Sequence, residues 1–273
     1  MKLRSLLVIC LALAAFALPA SAGAVLDRVL AAKTMVMSTD PDYPPQSSLN
    51  AAKEFEGFDI DVGREIARRL GVQIKFVTPA WDMVTAGGWN GRWDISVGSM
   101  SPTFERNNVL DFPAVYYYTP AALVVNEQNR VITRPELASG KRIGVGLSTT
   151  YESYLRKTLK IDWSDAPQFD FQIDDATVVP FETDQQALDA LKEGDGKTLD
   201  AVITALPTAL ASIRRGYPLK VIGAPLFLEP LAVAIDKGDP EWAAKIKEIV
   251  QAMHADGTLA KLSLKWYETD LSQ

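Results

Sequence analysis

Residues 94–106, DISVGSMSPTFER, carry the densest chemistry in the chain. Three hydroxyls, Ser99, Ser101 and Thr103, fall within five residues, and Arg106 closes the run. A guanidinium is a planar, permanently charged fork of donors matched to a carboxylate. Hydroxyls beside it can donate to the same anion. Asp94-Ile95-Ser96-Val97 reads as a short buried strand that turns at Gly98, so one reading is a carboxylate clamp at a strand end. The plainer reading is a polar loop whose arginine pairs with Glu105 or Asp111.

Other chemistries have little to work with. Cys10 is the only cysteine and His254 the only histidine. Cys10 lies in an N-terminal stretch with the marks of a secretory leader. Lys2 and Arg4 give a positive start, Leu6–Leu18 is apolar, and Ala20-Ser21-Ala22 is a small-x-small cleavage signal. Residues 1–22 are therefore expected to be removed, with a cut after Ala24 as the alternative. The mature chain would then hold no thiol for a disulfide, a thiolate metal site or a nucleophile. Any triad or zinc site would have to be built on His254, near the end of the chain. The formal charge is −6, and losing Lys2 and Arg4 makes it −8, which argues against nucleic acid or an anionic membrane surface as partner.

The elements that must position the clamp alternate between strand and helix. Residues 34–39 read as a strand. Pro41, Pro44 and Pro45 then forbid a helix and hold Tyr43 in a stiff loop. Residues 59–70 form an amphipathic helix stopped by Gly71, and residues 72–77 a strand. Trp81 follows on a loop, either as core packing or as a site residue. After the clamp come an aromatic run, 111–118, and a strand at 122–125. Further strands are expected at 142–145, 178–181, 200–204, 219–222 and 232–235. Helices start at Thr149 and Thr183, each with a capping box completed by Glu152 and Gln186. Ser148 and Thr150 sit beside the first of these. Read plainly they are loop polarity; read functionally they flank a helix N-terminus that attracts an anion. Residues 161–177 are an acidic loop lacking the glycine and terminal glutamate of a calcium loop. Helix 207–215 and two C-terminal helices complete the pattern. His254 is expected to face solvent at a helix end. The class is α/β.

The ordered set of segments resembles a known family. The set comprises the Tyr-Pro-Pro loop, GFDIDVGREIARRLG (57–71), WDISVGSMSPTFER (93–106), DFP and its tyrosines (111–118), KRIGVGLSTTYES (141–153), LDAVITALP (199–207) and MHADGTLAKLSLKWY (253–267). It is similar to the family 3 solute-binding proteins of bacterial ABC importers, the polar amino acid group. The resemblance implies a two-lobed periplasmic binding protein fold of type II with two crossover strands as hinge. Lobe one would be 23–119 plus 232–273, and lobe two 120–231. The chain would act as a monomer in the periplasm, without a cofactor or metal. It would capture a small carboxylate-bearing ligand and deliver it to an ABC permease in the inner membrane. By the same resemblance Arg106 binds the ligand carboxylate, with Ser99 and Ser101 as hydroxyl positions. Tyr43 and Trp81 supply aromatic contacts, Thr149 and Thr150 the second-lobe contacts, and Asp40 a first-lobe acid.

One position departs from the pattern. Amino-acid binders of this family carry an aspartate five residues beyond the strand aspartate, to hold the ligand ammonium. Counting from Asp200 reaches Ala205. Either another acid serves, among Asp40, Asp42, Glu182 and Asp184, or the ligand is not a standard α-amino acid. Asp40 is the expected substitute. The competing readings are an enzyme on the same scaffold, similar to cyclohexadienyl dehydratases with Glu152 as its acid, and a sensor that acts through a separate membrane partner.

Overall fold

The structure, a computed structural model, describes residues 23–273. The leader expected over 1–22, with Cys10, lies outside the described residues. The first lobe opens with helix α1 (Ala24–Ala32), strand β1 (Thr34–Ser38) and a small three-stranded sheet, β2 (Asp42–Tyr43), β3 (Ser47–Leu49) and β4 (Phe55–Glu56). Helix α2 (Phe58–Leu70), β5 (Gln73–Val77), α3 (Trp81–Thr85) and β6 (Ile95–Met100) follow. Strand β7 (Leu110–Asn126) leads into the second lobe. There lie β8 (Arg142–Gly146), α4 (Thr150–Leu155), β9 (Thr177–Phe181), α5 (Asp184–Lys192), β10 (Ala201–Ala205) and α6 (Leu206–Arg214). Strand β11 (Leu219–Asp236) returns, and α7 (Pro240–Ala255) and α8 (Thr258–Tyr267) close the first lobe.

Eight strands form one curled mixed sheet in the order β5-β1-β6-β11-β7-β10-β8-β9. Its spine is the antiparallel pair β7 and β11, from Leu219 opposite Asn126 to Asp236 opposite Leu110. These two strands are the crossovers, and they differ from the sequence reading, which broke each into separate pieces. Pro120 and Pro230 explain the difference, because proline inside a strand reads as a break. Here the ladder is already irregular, with a register shift between Ile222 and Phe227 and another between Leu231 and Ala232. Tyr118, opposite Pro230, turns its N–H out to the carbonyl of Leu271 at 2.8 Å.

Each lobe buries its own core. Phe58, Ile60 and Ile66 of α2 pack with Met35, Met37, Ile95, Tyr116 and Trp242 in the first. In the second, Tyr154 and Leu155 of α4 pack with Ile143, Ile203 and Phe227 on one sheet face, and α5 and α6 cover the other. Apolar area removed from water on this scale is the main force holding each lobe together. Helix α1, which the sequence reading did not include, is tied in by Arg28, whose guanidinium meets the buried Asp94 carboxylate at 2.5 Å. Asp94 also accepts the Val36 N–H at 2.7 Å, so one carboxylate joins α1, β1 and the start of the clamp strand. His254 does not face solvent. It is half-buried, with Nε2 3.0 Å from the carbonyl of Val115 in β7.

Candidate ligand-binding site

The clamp loop is set by a buried carboxylate that the sequence reading passed over. Asp59 lies in the first turn of α2 and is fully buried. It accepts hydrogen bonds from Ser99 Oγ at 2.7 Å and from the Tyr116 hydroxyl at 2.7 Å. Tyr116 in turn accepts the Ser99 N–H at 2.8 Å, and Ser99 Oγ lies 2.6 Å from the Tyr117 hydroxyl. Ser99 has φ 53°, a left-handed conformation that costs a non-glycine residue energy and persists only where its surroundings hold it. The Asp59 network is that hold. Burial pushes the Asp59 carboxyl up to about 7, against the opposing pull of its Ser99 and Tyr116 hydrogen bonds. The Ser99 hydroxyl is therefore committed inward.

Beyond Ser99, Arg106 stands in a short 3₁₀ turn and is buried. Nη1 donates to the Ser101 carbonyl at 3.0 Å, and Nη2 donates across the cleft to the Ser148 carbonyl at 2.8 Å. Ser148 has φ 59°, and its carbonyl also accepts the Trp81 indole N–H at 3.3 Å. The guanidinium lies 5.6 Å from the Trp81 ring centroid. Among the described residues no carboxylate makes a salt bridge with it, and neither Glu105 nor Asp111 is its partner. Burial lowers its pKa to about 10, partly opposed by Glu229, so it stays charged at neutral pH.

Glu229 is the second functional residue absent from the sequence reading. It sits in β11 opposite Thr119 of β7, where the lobes meet, and is buried. Its Oε1 accepts from Ser101 Oγ of the first lobe at 2.8 Å and from Thr150 Oγ1 of the second. Burial raises its pKa, opposed by those hydroxyls and by Arg106. A charged side chain inside an otherwise apolar strand, LEPLAVAI, is the signal that could have found it.

One cavity between the lobes gathers all eight sequence-predicted residues: Asp40, Tyr43, Trp81, Ser99, Ser101, Arg106, Thr149 and Thr150. Trp81 is not on a loop but heads α3. Thr149 caps α4: its Oγ1 accepts the Glu152 N–H at 3.3 Å and donates to the Gly146 carbonyl at 2.7 Å. Glu152 completes the box by accepting the Ser148 N–H at 2.8 Å, and it does not line the cavity. Glu182, Thr183, Asp184 and Glu229 line it as well. Ala205 does not; it is packed in the second-lobe core. Several lining groups have hydrogen-bonding capacity with no protein partner: Ser38 Oγ, Thr39 Oγ1, Ser47 Oγ and Asp184 Oδ1. Buried polar atoms are nearly always paired, so their clustering on one cavity marks it as a place where a polar ligand docks. Among the described residues no group of His, Cys, Asp and Glu is arranged to hold a metal, and no helix is long and apolar enough to cross a membrane.

Comparison with known proteins identifies the family and the fold. The family model for bacterial extracellular solute-binding proteins, family 3, matches residues 35–269. The chain is 25% identical to the L-cystine-binding protein TcyJ of Escherichia coli (strain K12), over 91% of this chain and 88% of that protein. It is 27% identical to the L-arginine-binding protein of Pseudomonas aeruginosa, over 88% of this chain and 90% of that one. Among solved structures, the ancestral amino acid-binding protein AncCDT-1, a precursor of cyclohexadienyl dehydratase, superposes with a TM-score of 0.76 at 30% identity, covering 89% of this chain and 99% of that one.

Proposed function

Because this chain belongs to the bacterial extracellular solute-binding proteins of family 3, with the two-lobed type II fold, we propose that it is the periplasmic receptor of an ABC importer for a polar amino acid or amino-acid derivative. The lobes, 23–119 plus 232–273 and 120–231, close on the ligand about the β7 and β11 crossovers, and the monomer then presents it to a permease in the inner membrane. The observation that carries this reading is Arg106. It is a buried, charged guanidinium on a cavity shared by both lobes, and its hydrogen bonds go only to backbone carbonyls. A ligand carboxylate supplies the counter-charge that Ser101 and Ser148 do not. Trp81 and Tyr43 pack the ligand's apolar part, and Thr149 and Thr150 close over it from the second lobe. Transport requires only that the closed form bind more tightly than the open one. The names of the relatives as binding proteins for cystine and arginine support the substrate class.

A thermal-shift screen of the mature protein against amino acids, opines and small carboxylates tests the proposal. A true ligand at a hundred times its Kd adds about 2.7 kcal/mol of stability. No shift with any amino acid or amino-acid derivative would overturn it.

A further inference from the structure

The cavity is markedly acidic. Asp40, Glu182, Asp184 and Glu229 line it, against Arg106 alone. Their carboxylates are not equally available. Glu229 Oε1 is taken by two hydroxyls. Asp40 Oδ1 accepts the Asp42 N–H at 2.7 Å. Glu182 is exposed to solvent. Asp184 is different. It is the first residue of α5, only 7% exposed, and its Oδ1 has no hydrogen-bond partner. The side chain lies against the Gly146 backbone: a Cβ built on Gly146 would stand 3.4 Å from both Cγ and Oδ1 of Asp184. Gly146 ends β8, the strand that leads into Thr149 and Thr150 on the cavity wall.

A buried carboxylate oxygen without a partner is costly, and the cost is removed when a cation docks on it. Helix α5 is capped by Thr183, which accepts the Gln186 N–H at 3.2 Å, so Asp184 is not consumed as the cap. Ser38, Thr39 and Ser47, also buried and unpartnered on the same cavity, leave further acceptors for the N–H groups of a ligand.

We propose that Asp184 is the counter-charge for the α-ammonium of the ligand, in the role that Ala205 cannot fill, and that the site therefore selects α-amino acids over their deaminated analogues. This rests on the amino-acid-binding reading above and deepens it. Arg106 takes the carboxylate end and Asp184 the ammonium end, with Asp40 adding to the field rather than making the contact. Burial, helped by Asp40 and Glu229 and opposed by the nearby Gly146 N–H and Thr204 hydroxyl, raises the Asp184 carboxyl to about 7. Asp40, Glu229, Tyr43 and Tyr151 are the titratable groups coupled to it, and none of them is a cation. A bound ammonium favours the carboxylate form, so binding near neutral pH releases part of a proton.

Titration calorimetry on the mature protein, Asp184→Asn and Asp40→Asn tests this, using L-arginine, L-glutamine and L-cystine together with the α-keto acid of each. The wild type is expected to bind at least one of the amino acids well and its α-keto acid weakly. Asp184→Asn should weaken that amino acid roughly thirty-fold or more while changing the α-keto acid little. Asp40→Asn should have the smaller effect. Asp184→Ser is the second variant if the asparagine protein does not fold. The wild type alone gives an independent readout: the binding enthalpy should differ between phosphate and Tris buffers for the amino acid and not for the α-keto acid. Amino-acid affinity unchanged in Asp184→Asn, with no buffer dependence in the wild type, would overturn the assignment and leave the amino-acid reading standing. A wild type that binds the α-keto acids and none of the amino acids would overturn it too. Binding to nothing in the panel would remove the amino-acid reading for these ligands, and the role of Asp184 with it.

Discussion

Arg106 of the first lobe donates a hydrogen bond to the backbone carbonyl of Ser148 in the second, at 2.8 Å across the cleft. The group suited to hold a ligand's carboxylate is thus also a bridge between the lobes. A carbonyl offers a partial charge only, so a carboxylate reaching the fork gains a stronger, charge-assisted bond. Arg106→Ala is expected to weaken amino-acid binding by about 2–5 kcal/mol. Arg106→Lys should recover little of it, because an ammonium lacks the planar fork. Calorimetry with an unchanged Kd in Arg106→Ala would remove the clamp assignment.

Trp81 donates to the same Ser148 carbonyl and stands beside the Arg106 guanidinium. Tyr43 lies at the start of the small sheet and packs against the second-lobe core from the first lobe. Neither is fully buried. Trp81→Ala and Tyr43→Ala should therefore lower ligand affinity more than melting temperature. Equal affinity with a large fall in melting temperature would return both rings to a purely packing role.

The Asp59 network predicts a pH dependence of stability. Burial raises the folded-state pKa to about 7 from the ordinary carboxylate value of 3.8. The folded protein then holds a proton that the unfolded chain has lost, so this group's contribution is fully present below about pH 4 and is lost as pH rises toward about 7. The slope is at most about 1.4 kcal/mol per pH unit for one group. Urea melts across this range should show the decline in the empty protein, and Asp59→Asn should flatten part of it. An identical slope in the variant would contradict the assignment of the shift to Asp59.

The site was legible where polar residues stood at strand ends, as with Ser101, Arg106 and Thr149. Strand ends are where an α/β sheet opens its crevice, and prolines and capping boxes mark them in a sequence. What stayed hidden was polar chemistry inside regular elements. Asp59 reads as an ordinary acid in the first turn of a helix, and only the packing of β6 and β7 onto α2 turns it into the support of Ser99. Glu229 sits mid-strand between prolines, and its meaning depends on which loops the crossovers bring to it. Pro120 and Pro230 disguised β7 as an aromatic run and one short strand, and β11 as two short strands, because a long antiparallel pair shows its continuity only through its partner.

Glu152 gives a test of the enzymatic alternative. Its carboxylate accepts the Ser148 N–H and pairs with Arg156 at 2.8 Å, so it is occupied as a helix cap. Glu152→Ala should cost about 1 kcal/mol of stability. The wild type should not turn over prephenate or arogenate. Turnover by the pure protein, lost in Glu152→Ala, would make it a dehydratase.

The most direct measurement is a calorimetric titration of the purified mature chain with L-arginine, L-glutamine and L-cystine in turn. Capture of an amino acid between the lobes predicts a saturable isotherm of one ligand per chain for at least one of them. It also predicts a negative heat-capacity change, as the aromatic walls of Trp81 and Tyr43 are buried against the ligand. No heat of binding with any of the three, or with any other amino acid or amino-acid derivative of the thermal-shift screen, in a protein shown by its melting transition to be folded, would contradict the account.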